Sequence, residues 1–141
     1  ALIWGATIRL SGAAQIFGGW LGVRVPKNVA LCVFGLLQAM GVIFATLLTD
    51  LYLAPIFIVI FGLGFGARIP LGTAIRGEYF GRRAFGKVLG ISMVPTSAAM
   101  FAAPIFAGWW FDEQGSYGMA FYILGAISAI GSLGFLLAKK P

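Results

Sequence analysis

The sequence contains no histidine, one cysteine and four acidic residues among 141. Histidine is the usual general base near neutral pH and the commonest metal ligand, so both roles lack their ordinary residue. Cys32 stands alone inside an apolar run, which excludes a disulfide framework and a cysteine-rich metal site. The acids Asp50, Glu78, Asp112 and Glu113 are scattered and form no catalytic constellation. The expectation is a protein that is not an enzyme and that holds no metal and no cofactor. Charge of either sign is scarce as well, at 10% of residues, against about 25% in an ordinary soluble domain. Such a chain cannot cover itself with a polar surface.

What is present is apolar sequence and glycine. Hydrophobic residues make up 60% of the chain, and the mean hydropathy is +0.98. A soluble chain of this length would be one domain; here the apolar residues instead fall into runs at 2–21, 29–49, 53–75, 88–111 and 118–138. Each is close to the roughly 20 residues that cross a bilayer. The predicted fold class is therefore all-α, a polytopic membrane helix bundle of five transmembrane helices occupying residues 1–141 as a partial domain. The 21 glycines suit close helix packing in lipid. Pro70, Pro95 and Pro104 lie inside the third and fourth runs and predict kinks there. The glycines at 62, 64 and 66 sit within an apolar helix and not after a strand, so they are not a nucleotide loop. The first residue is alanine, and no polar domain follows the first run. The sequence is thus read as a fragment without a signal peptide, its true N-terminus lying upstream.

The net charge of +6 is not a nucleic-acid footprint, because the basic residues occupy the gaps between runs. Short connections at 22–28, 50–52, 76–87 and 112–117 make successive helices antiparallel. One side then collects Arg24, Lys27, Arg76, Arg82, Arg83, Lys87, Lys139 and Lys140, while the other holds Asp50, Asp112 and Glu113. The positive-inside rule puts the basic side in the cytoplasm, the N-terminus outside and the C-terminus inside. An integral protein of the plasma (inner) membrane is expected, with the lipid bilayer as its first partner.

The stretch GWLGVRVPKN, with Gly19, Leu21, Arg24 and Lys27, resembles the signature loop of the major facilitator superfamily. The acidic position of that loop holds Val23, the second glycine position Pro26 and the final basic position Asn28. A copy without the acid is similar to the loop between spans eight and nine of that family. Gly90, Pro104 and Gly108 match the family's proline-glycine packing motif, with Ala99, Ala103 and Ala107 where glycines are expected. Small residues there permit close helix approach. RGEYFGRRAFGKVLG and GWWFDEQGSYGMAFYI look like the loops before spans eleven and twelve. The resemblance covers the whole chain as spans eight to twelve of a twelve-span transporter. It implies a secondary transporter working by alternating access, with the missing N-terminal half of the same chain as a partner. The alternative is a small five-span membrane subunit that packs against a partner without transporting.

Two cations lie inside predicted spans. Arg9 costs about 2.5–3.5 kcal/mol at a helix centre, and such residues usually face a bundle interior or a wet cavity. Gly5, Gly12, Ala13 and Gly19 share its side of the helix. Arg68 lies between Gly64 and Gly72, and Pro70 frees the Gly66 carbonyl, which a guanidinium could meet. No carboxylate lies in any span, so two buried arginines call for either a small organic anion as the solute or an Asp or Glu of the missing half as their partner. Gln15 and Thr96 complete the substrate-binding candidates, while Gln38, Ser97, Ser128 and Ser132 are expected to bond between helices.

Overall fold

A computed structural model describes residues 2–47 and 50–139, so Lys140 and the end of the expected second span at Thr49 lie outside the described residues. The described residues form four α-helices and no strand. Helix α1 is Leu2–Arg24, α2 is Lys27–Phe44, α3 is Ala54–Gln114 and α4 is Gly118–Leu137. Two short 3-10 turns, Ala45–Leu47 and Leu51–Leu53, lie between α2 and α3.

Three of these helical stretches are long and apolar enough to cross a membrane: Lys27–Leu47, Leu51–Gln114 and Gly118–Leu137. Helix α1 has the length, at 23 residues, but Arg9, Gln15 and its glycines hold its hydropathy down, and it is not among the three. Helix α3 has 61 residues, far more than one crossing needs. It breaks once, at Gly81, where φ is 68° and ψ is 176°. That region of backbone space is essentially open to glycine alone. The break divides α3 into a first arm, 54–80, and a second arm, 82–114. Residues 76–80 and 82–87, expected in a connection, are helical. Arg82, Arg83 and Lys87 are good helix formers, and a single glycine suffices to turn the chain. The prolines at 70, 95 and 104 stay within helical backbone, and Gly81 is the one residue of α3 with non-helical dihedrals.

Close glycine contacts set the directions of the helices. Gly62 and Gly66 face Thr7, Leu10, Ser11 and Ala14 of α1, and Gly18 and Gly22 face Ala67 and Leu71. The contacts rise together along both chains, so α1 and the first arm are parallel. Gly41 meets Phe61 and Gly64 meets Phe34 and Gln38, so α2 is antiparallel to the first arm. Gly125 meets Ala39 and Ile43 while Gly35 meets Ser132, so α4 is antiparallel to α2. This is the alternation that short connections require.

The GxGxG run at 62–66 thereby acquires a purpose. Residues two apart on a helix point to opposite sides. Gly62 and Gly66 open one face of the first arm to α1, and Gly64 opens the other to α2. On α1 the matching stripe is Thr7, Ser11, Ala14, Gly18 and Gly22, all buried. Thr7 and Ser11 donate their hydroxyls back to the carbonyls of Ile3 and Thr7, both at 2.8 Å, so no polar group is stranded in the seam. Large apolar side chains point outward instead: Ile91, Val94, Met100, Phe101 and Ile105 of the second arm are exposed, as are Ile127 and Ile130 of α4. An exposed apolar surface of this extent belongs in lipid.

Candidate functional site

The basic ends of the helices meet in a clasp. A two-residue link with Pro26 at its end joins α1 to α2, which leaves Lys27 and Asn28 in the first turn of α2. Lys27 Nζ lies 2.6 Å from Glu78 Oε2 of the first arm. Tyr79 Oη donates to Asn28 Oδ1 at 2.8 Å, and Asn28 Nδ2 donates in turn to the Ala138 carbonyl at the end of α4. Of the signature-loop residues, Lys27 is thus ion-paired, Arg24 lies 4.4 Å from the centre of the Trp20 ring, and Leu21 is half-buried. Gly19 has open space where a side chain would be; the glycines at the helix approach are its neighbours Gly18 and Gly22. Asn28 joins the clasp, accepting from Tyr79 and donating to Ala138.

Deeper in the bundle a cavity of about 470 Å³ opens between α2 and the two arms of α3. The first arm lines it with Phe65, Arg68, Gly72 and Arg76, and the second with Leu89, Ser92, Thr96 and Met100. Both sets repeat every three or four residues, so each arm offers one helical face. Its half-buried cations are Arg76, at the basic end, and Arg68. Arg68 Nη1 donates to Gln38 Oε1 of α2 at 2.9 Å, and its guanidinium lies 5.7 Å from the centre of the Phe135 ring of α4. It meets Gln38 rather than the Gly66 carbonyl that Pro70 frees. No acidic side chain lines this cavity.

The sequence-derived candidates therefore separate. Arg68 and Thr96 line one cavity together with Gln38, expected to bond between helices but not among the substrate-binding candidates. The Thr96 hydroxyl donates to the Ser92 carbonyl at 2.9 Å and keeps its lone pairs for the cavity. Arg9 and Gln15 lie elsewhere, both exposed on α1. Arg9 stands on the side turned away from the first arm, together with Gly5, Gly12 and Gly19, none of which has a neighbour within 4 Å of a built Cβ. The same is true of Gly90 and Gly108 on the second arm. Among the described residues no helix uses these small faces. The Gln38–Arg68 pair spans 30 positions of sequence and two helices. The one sequence signal for it is a long amide at the same depth of an adjacent apolar run.

A family model, the Major Facilitator Superfamily, matches residues 2–141. No curated protein and no solved structure matches the chain.

Proposed function

Since the chain belongs to the Major Facilitator Superfamily, a family of membrane transporters, we propose that it is part of a secondary active transporter that moves a small organic anion by alternating access. The observation that carries this reading is Arg68. It is a guanidinium in a cavity whose one side-chain hydrogen-bond partner is a neutral amide and whose lining includes no acid. A cation desolvated without a counter-charge is costly. A carboxylate arriving in the cavity supplies that charge, and the planar guanidinium can hold it through two parallel N–H donors. Gln38 fixes the fork from behind, and Thr96 and Ser92 offer further polar contact on the opposite arm.

In this reading the chain corresponds to spans eight to twelve, with α1 and both arms of α3 counted as single crossings to make five. The open small face of α1 that carries Arg9, and the open glycines of the second arm, are the surfaces on which an N-terminal half would rock. The basic clasp lies in the cytoplasm and the Asp50, Asp112 and Glu113 side outside, in the plasma (inner) membrane. No finding favours the non-transporting subunit.

The test is uptake by proteoliposomes of a panel of labelled short mono- and dicarboxylates, for the native protein and an Arg68→Gln variant. Uptake of at least one carboxylate, reduced tenfold or more by the substitution, is expected. Uptake confined to neutral or cationic solutes, or carboxylate uptake indifferent to Arg68→Gln in a folded variant, overturns the anion reading.

A further inference from the structure

A second cavity, of about 430 Å³, adjoins the deeper one through Gly72, Arg76 and Phe135 and opens at the basic end of the bundle between the first arm of α3 and the end of α4. Gly72, Ile75, Phe80 and Phe135 form apolar walls, and Arg76 and Lys139 bring two cations to it. We propose that this cavity binds one anionic phospholipid, its phosphate between Arg76 and Lys139 and an acyl chain against the Phe80–Phe135 walls.

Charge and polarity on the page select this occupant. The walls are apolar, so a fully hydrated anion would gain nothing from most of the surface. Among the described residues neither cation has an acidic partner: Arg76 makes a long 3.4 Å bond to the Gly72 carbonyl, and Lys139 is exposed. A zwitterionic lipid would bring its own ammonium cation towards the two and supply no net negative charge. The backbone before Lys139 is also held in place, because the Ala138 carbonyl accepts from Asn28 Nδ2 and has Tyr79 Oη 3.4 Å away. The chain at the end of α4 is therefore pinned beside the first arm by the clasp. Basic pockets between membrane helices are the setting in which anionic head groups are recognised individually and not as a diffuse surface charge.

The experiment is native mass spectrometry of the detergent-purified protein, titrated separately with phosphatidylglycerol, phosphatidylcholine and inorganic phosphate. One phosphatidylglycerol is expected to be retained per protein, at least fivefold more tightly than phosphatidylcholine. Lys139→Ala, at an exposed site where folding is not at stake, is expected to weaken retention at least fivefold, and Phe80→Ala to weaken it as well. Lys87→Ala removes a cation from the same end but outside the cavity and is expected to change nothing. Equal retention of the two lipids overturns the proposal. So does a loss in Lys87→Ala as large as in Lys139→Ala, which would mean diffuse surface charge. Displacement of the lipid by inorganic phosphate at matched concentration would also overturn it, since the site would then read the anion alone. Lys139 and Phe80, the residues varied here, line this cavity and not the deeper one, so these outcomes are read independently of what the deeper cavity transports.

Discussion

Replacing Gly66 by alanine puts a methyl group into the seam between α1 and the first arm of α3. The new carbon would sit 2.7 Å from Ser11 Cα and 2.8 Å from Ala14 Cβ. Carbon atoms in contact prefer about 3.5–4.0 Å, so α1 would have to retreat by roughly 1 Å. Neither neighbour is the end of a flexible side chain, so the helix moves as a body and Gly18 and Gly22 lose their contacts too. Overpacking of this kind costs about 1–3 kcal/mol. Alanine recovers about 1 kcal/mol through its higher helix preference, a gain the control below shares, leaving a net loss of about 0–2 kcal/mol, or up to roughly 8 °C in melting temperature. The sequence contains its own reporter, since Cys32 is 4% exposed and reacts with a thiol dye only as the bundle opens. Gly131→Ala is the control, because nothing lies within 4 Å of the methyl it would add. A Gly66→Ala protein that releases Cys32 at the same temperature as Gly131→Ala, or later, would refute the seam.

Other perturbations test the remaining features. Gly81→Ala forces a residue with a side chain into the glycine-only break, with an expected loss of about 1–3 kcal/mol in the same thiol assay; an unchanged midpoint would mean that the turn does not need that backbone geometry. Tyr79→Phe removes the hydroxyl that binds Asn28 and is expected to cost about 0.5–1.5 kcal/mol, whereas Glu78→Gln, in a half-exposed pair, should cost no more than about 1 kcal/mol and less at high salt. Gln38→Leu leaves the Arg68 fork unoriented, and carboxylate uptake should show a KM raised roughly tenfold, the equivalent of about 1.4 kcal/mol; an unaltered KM would count against Gln38 as the positioning residue.

The helical class, the positions of the apolar runs and the alternation of helix directions were all legible in the sequence. They rest on length and charge placement, which local reading captures. The small stripe on α1 was legible in principle, because Thr7, Ser11, Ala14, Gly18 and Gly22 repeat at helical spacing. It was masked by a second small stripe, that of Gly5, Gly12 and Gly19, which drew notice through Arg9. Two small faces on one helix cannot be ranked without knowing which neighbour packs where. Gly81 was illegible for a related reason: a positive φ follows from where two arms must go, not from the residues beside it. The Asn28–Tyr79–Ala138 clasp and the Gln38–Arg68 pair are long-range contacts between polar groups, and no period announces them.

The break at Gly81 also bears on how the protein is made. A straight helix of 61 residues would be about 90 Å long, three times the roughly 30 Å hydrocarbon thickness of a bilayer. On the proposed reading, in which each arm is one crossing, the first arm enters the membrane as an apolar segment when the chain leaves the ribosome, and the second must reverse and enter from the side the first has just reached. One residue permits that reversal, and the arginines directly after it are costly to carry through the lipid. In that reading a lesion at this glycine acts during insertion as well as in the folded protein, and part of its phenotype is a smaller amount of protein at the membrane, which added substrate would not restore.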